Sequence, residues 1–107
     1  MSKKKQVFSE ERFARQRKKW GFDERELYSL DHTIAEFVLP RLKVFAKTFD
    51  KRPVGTTLRR WKNDLALMIF AFAMVVQDRV VCSSKKDFAK FEKGMRAFAD
   101  NFTALWN

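Results

Sequence analysis

The chain has one cysteine, one histidine, three glycines and two prolines in 107 residues. Each scarcity removes a class of protein. A single Cys82 cannot form an internal disulfide, which excludes a disulfide-stapled mini-domain and fits a reducing, cytoplasmic compartment. One Cys and one His far apart in sequence cannot supply the three or four ligands that a zinc site normally draws, so no metal site is expected. His32 falls opposite the apolar stripe of its helix and reads as a surface residue, whereas Cys82 reads as a small apolar filler near a helix end. A Gly-rich phosphate loop, a nucleophile elbow and a paired-carboxylate motif are also missing, so neither an enzyme nor a cofactor is expected. The longest uninterrupted apolar run, Leu65 to Val76, has twelve residues, well short of the roughly 20 a membrane span requires. No leader resembling a secretory signal precedes the first helix, and no membrane partner is expected.

Helical pattern and positive charge are abundant. Apolar and aromatic residues make up 46% of the chain, too many for disorder, and the few glycines and prolines disfavour a turn-rich β fold. Lys3, Lys4 and Lys5 open a polar arm, after which Ser9 with Glu10 and Glu11 supplies a helix cap and an acidic first turn; Gly21 ends this helix after Trp20. Asp23 and Glu26 match a capping box, followed at helical spacing by Leu27, Leu30, Ile34, Phe37, Val38, Phe45 and Phe49. Pro40 falls inside that run and predicts a kink or a break near Leu39.

The segment Asp50 to Thr57 has the Pro and Gly of a loop, with Thr56 or Thr57 as the next cap. A third helix is expected from Leu58 to about Cys82, apolar on all sides in its middle, as suits the centre of a bundle or one side of an oligomer interface. Ser84 with Asp87 caps a fourth, in which Phe88, Phe91, Met95, Phe98, Phe102 and Leu105 form a heptad seam. The fold expected is all-α: a small helical bundle of about four helices, one kinked at Pro40, assembled as a homo-oligomer. Residues 1–19 form a basic N-terminal arm or helix and residues 20–107 the bundle domain.

The formal charge of +10 is concentrated in the arm, where eight Lys or Arg stand against two Glu. Lys3, Lys4, Lys5, Arg12, Arg15, Arg17, Lys18 and Lys19 are therefore the candidates for binding nucleic acid through its phosphates. A second set comes from charges that fall where apolar residues are wanted. Arg41 lies inside the stripe of Ile34, Phe37 and Phe45, Asp31 lies on its margin, and Arg79 follows the Leu65, Phe72 and Val76 face. Buried charge must be paired, so these residues either form interhelical ion pairs or line a polar pocket. In a pocket, Arg41 and Arg79 with Lys43, Arg59 or Arg60 would clamp a phosphate, and Tyr28, Trp20 or Trp61 would stack on a base.

Three blocks carry a resemblance. Residues 21–45, G-F-D-E-R-E-L-Y-S-L-D-H-T-I-A-E-F-V-L-P-R-L-K-V-F, are similar to an L-W-x-L-D-x-T-I-A-x-F-I-L-P-R-L-K segment, with Tyr28 in place of the Trp. Trp61 to Phe72 resembles W-x-x-x-L-x-x-M-I-x-A-F, and F-E-K-G-M-R-A-F-A-D-N-F-T-A-L-W-N resembles G-L-x-L-F-A-x-Y-F-x-x-L-W-D. These segments belong to a family of small phage-encoded proteins. The resemblance spans most of residues 21–107 and implies phage origin, an α-helical fold and a place in the host cytoplasm during infection. It implies no particular activity. Asp31, Pro40, Arg41 and Lys43 match its polar signature, and the basic arm lies outside it.

Three non-enzymatic functions stay open at this point. The first is a counter-defence sponge that sequesters a phosphate-bearing nucleotide immune signal. The second is nucleic-acid binding through the basic arm. The third is a protein-interaction module that inhibits a host protein or contributes to the virion.

Overall fold

The computed structural model describes residues 2–48 and 52–106, with side chains from Ser9 onward. The side chains of Lys3, Lys4 and Lys5, and the expectations for Phe49 and Asp50, lie outside the described residues. Among those described, the protein is all-α: α1 (Ser2–Trp20), a 3₁₀ turn (Glu24–Leu27), α2 (Leu30–Thr48), α3 (Leu58–Val76), α4 (Lys85–Asp100) and a final 3₁₀ turn (Phe102–Ala104). No helix among them is long and apolar enough to cross a membrane. The chain divides into two compact units, Met1–Thr33 and Ile34–Asn107, so residues 20–33 group with the basic helix rather than with the bundle.

In the first unit, α1 runs through Ser9 instead of starting there. Lys and Gln are good helix formers and no Gly or Pro falls between Ser2 and Trp20, so nothing halts the helix at Ser9. Gly21 ends it as expected, with φ +86° and its N–H donating to Arg17 O at 2.9 Å. Asp23 caps only the short 3₁₀ turn, because its carboxylate accepts the N–H of Arg25, two residues on. The second helix consequently starts at Leu30, where Ser29 O accepts Thr33 N at 3.0 Å. His32 is half-buried rather than on the surface.

The second unit is organised on α3. Thr57 caps it by accepting Arg60 N at 3.1 Å, and Trp61, Leu65, Met68 and Phe72, spaced four, three and four, form its buried spine. Ala35 and Leu42 of α2 join this core, as do half-buried Met95, Phe98 and Leu105. Full burial of side chains of this size stabilises by roughly 1.5–3 kcal/mol each. Pro40 sits inside α2 without ending it.

Helix α3 stops at Val76, short of the expected Cys82. Its end is a Schellman motif: Arg79 N donates to Met74 O at 2.9 Å, Asp78 N donates to Val75 O at 3.1 Å, and Asp78 adopts φ +54°. Arg79 and Cys82 thereby leave the helix for the following loop, and Cys82 is exposed rather than packed. Ser84 caps α4 by accepting Asp87 N at 3.1 Å, as its sequence predicts. The heptad seam holds only in part, since Phe88 and Phe102 are exposed and α4 ends at Asp100.

Candidate nucleic-acid interface

The first unit concentrates its charge around two adjacent carboxylates. Asp23, only 5% exposed, accepts Arg25 Nε at 2.9 Å on Oδ1, and on Oδ2 it accepts Arg25 Nη2 at 2.8 Å and Arg17 Nη1 at 2.9 Å. Glu24 accepts both Nε and Nη2 of Arg12, the hydroxyl of Tyr28, and Gln16 Nε2 at 2.8 Å. In return Glu24 N donates to Gln16 Oε1 at 2.8 Å. Arg25 also lies 4.3 Å over the Phe13 ring.

These bonds favour the charged carboxylates. Hydrogen bonding to Arg25, reinforced by Arg17, holds the Asp23 carboxyl well below the usual carboxylate range. Arg12 first, then Tyr28 and Gln16, lower Glu24 to about 2. The reciprocal bonds raise Arg12 and Arg25, and donation to Glu24 raises the Tyr28 phenol.

Arg12, Arg17 and Arg25 are therefore engaged with carboxylates. Arg15, Lys18 and Lys19 are exposed and, at spacings of three and four, share one side of α1. Arg17, Lys18 and Lys19 also complement the negative end of the helix dipole. Directly after them Trp20 and Phe22 expose their rings, 5.7 Å apart and tilted by 35°, and with Leu27 they line a shallow recess of about 330 Å³. A cationic stripe ending in exposed rings offers a nucleic acid both phosphate attraction and a stacking surface.

The candidates for a small-ligand pocket behave differently. Tyr28 is committed to Glu24, and Asp31 is exposed. Arg41 lies outside the core, with its guanidinium 3.7 Å over the Phe37 ring and Nη1 donating to Phe37 O at 2.9 Å. That hydrogen bond reaches one helical turn back along α2, so the positive charge stays in solvent while the stem covers apolar surface. Trp61 is 1% exposed and is a core residue, because it occupies the first position of the α3 spine. Arg79 donates to Gln77 Oε1 at 3.2 Å and pairs with Asp87 at 3.6 Å.

Lys43, Arg59 and Arg60 are exposed. Arg59 and Arg60 stand at the start of α3 and Arg79 just beyond its end, with Arg60 and Val76 alone separated by about 24 Å at 1.5 Å per residue. Arg41 is the one cation lining the groove formed by Phe37, Val38, Leu42, Phe45, Phe98 and Leu105. Among the described residues no group of three or more His, Cys, Asp or Glu could hold a metal ion.

The comparisons give no relative. No protein-family model matches the chain, and neither a curated protein nor a solved structure matches it.

The Asp23–Glu24 clamp is the part of this site that sequence patterning misses. Capping explains Asp23 alone. The available signal was two adjacent acids soon after an Arg-rich helix, where excess positive charge selects for carboxylate partners.

Proposed function

We propose that the protein is a non-enzymatic, phage-encoded nucleic-acid binder and that α1, which lies outside the phage-protein resemblance, is its binding element. The observation that carries this reading is the division of labour among the arginines and lysines of the first unit. Asp23 and Glu24 are occupied by Arg12, Arg17 and Arg25, leaving Arg15, Lys18 and Lys19 exposed on one side of the helix. Phosphates attract these three cations without sequence readout, and Trp20 and Phe22 stack on unpaired bases.

The test is fluorescence anisotropy with single- and double-stranded oligonucleotides over a salt series. Binding is expected to weaken steeply with salt, and the triple substitution of Arg15, Lys18 and Lys19 by Ala is expected to flatten the slope by about three phosphate contacts. Trp20→Ala is expected to weaken single-strand binding and to spare duplex binding. Unchanged affinity in the triple variant, with helicity intact, would remove α1 from the function. Sequestration of a small nucleotide ranks behind this reading, because it calls for several cations converging on one cavity.

A further inference from the structure

The second unit carries a basic surface of its own, on α4. Lys86, Lys90 and Lys93 are exposed and spaced four and three, so they fall within about 60° of one another along about 10 Å of helix. Arg96, three residues on, is exposed and borders the same side. A different side of α4 is packed: Gly94 lies against Leu67 and Ala71, and Met95 and Phe98 pack on the core.

Among the described residues no carboxylate pairs with these four cations. Asp87 is taken by Arg79 at 3.6 Å. Glu92 lies about 100° round the helix from Lys93, and Asp100 stands at the helix end, one turn beyond Arg96. Where the row meets α3, Lys90 Nζ lies 4.2 Å over the Phe70 ring, so that ring is covered.

We propose that this face of α4 is a second nucleic-acid contact and that it takes the phosphate backbone of a duplex. A fixed row of cations without carboxylate partners suits a linear array of phosphates, each contact releasing counterions. With Phe70 covered, the row has no ring to stack on unpaired bases, unlike α1 with Trp20 and Phe22. A duplex supplies charge instead, about one phosphate per 1.7 Å of axis, twice the density of one strand. Because Met95 and Phe98 are committed to the core, α4 also lacks the free apolar face by which a basic amphipathic helix holds a membrane. This contact shares its ligand class with the functional reading above but does not depend on α1.

Fluorescence anisotropy of the full chain on a duplex oligonucleotide over a salt series tests the contact, with circular dichroism confirming that each variant keeps its helices. Lys86→Glu/Lys93→Glu leaves Lys90 over Phe70, and it is expected to flatten the salt slope by about two and to weaken duplex binding roughly tenfold or more at low salt. Lys43→Glu/Lys47→Glu makes the same charge change on α2 and is expected to cost less than about a third of that loss. Binding to vesicles containing anionic lipid is expected to be the same for the α4 variant and the unsubstituted protein. Undiminished duplex binding in the α4 variant, an equal loss in the α2 variant, or a loss confined to the vesicles would each overturn the proposal. The triple substitution of Arg15, Lys18 and Lys19 separates the two elements. Loss of duplex binding in that variant alone leaves α1 as the site and overturns this proposal, whereas loss in the α4 variant alone does the reverse. A chain that binds single strands but no duplex likewise keeps the α1 reading and overturns this one.

Discussion

A methyl group placed on Gly94 would lie 2.2 Å from the carbonyl oxygen of Leu67 and 2.7 Å from the Cβ of Ala71. Helices α3 and α4 thus cross with backbone nearly against backbone at this point, and the neighbour that would have to yield is a main-chain carbonyl. On an exposed helix Gly→Ala gains about 1 kcal/mol of propensity. Here overpacking, which typically costs about 1–3 kcal/mol, reverses the sign. Gly94→Ala is therefore expected to lower the midpoint of urea unfolding, whereas exposed Lys93→Ala should leave it nearly unchanged. A neutral or stabilising Gly94→Ala would mean that the crossing is looser than the structure has it.

Asp78 supports the opposite substitution. It holds the left-handed position of the Schellman motif with φ +54°, a conformation that side chains adopt at a cost and glycine adopts freely. Asp78→Gly is expected to stabilise the second unit by about 0.5–1 kcal/mol, less the extra entropy glycine gives the unfolded chain. Thermal unfolding reads this directly, and a lower midpoint in the variant would refute it.

These two positions also mark what the sequence makes legible. The all-α class, the caps at Thr57 and Ser84 and the Leu65–Phe72 face of α3 follow from periodicity and local side-chain chemistry, whereas Trp61, a stacking candidate in the sequence, opens the buried spine. Gly94 carries no signal of its own in the sequence, since its value comes from a neighbour distant along the chain. The early end of α3 is similarly hidden, because no glycine announces the left-handed turn that Asp78 makes. For the candidate site, the basic stripe of α1 is visible in composition. Which arginines are neutralised is not, because that depends on the turn that brings Asp23 and Glu24 back to α1. Arg41 misleads for a related reason: its place in an apolar stripe suggests burial, yet Ile34 and Phe37 of that stripe are exposed.

The carboxylate clamp makes the first unit sensitive to acid. Glu24 titrates near 4.5 when unfolded and is lowered to about 2 when folded. A depressed pKa gives stability that is fully present above the unfolded value and is lost as pH falls through the folded one. Asp23 is shifted in the same direction, chiefly by Arg25. The turn from Gly21 to Tyr28 is therefore expected to loosen progressively between about pH 4.5 and 2. Amide exchange or NMR shifts of Glu24 and Arg25 would follow this. Glu24→Gln should remove part of the acid dependence, and an acid profile identical to that of the unsubstituted protein would show that Glu24 is not clamped.

Trp61 tests the core in another way. Its indole is 1% exposed, and Nε1 has no hydrogen-bond partner among the described residues. An unsatisfied buried donor costs about 1–3 kcal/mol, so an apolar ring that lacks the N–H recovers part of what its smaller size gives up. Truncation to a methyl group recovers the same N–H penalty but empties most of the site, at about 3–5 kcal/mol. Trp61→Phe is accordingly expected to cost well under half as much as Trp61→Ala in urea unfolding, with near-native helicity in both. Equal losses would mean that the indole N–H makes a bond in solution, and the packing around α3 would then have to admit a water or a polar neighbour at that point.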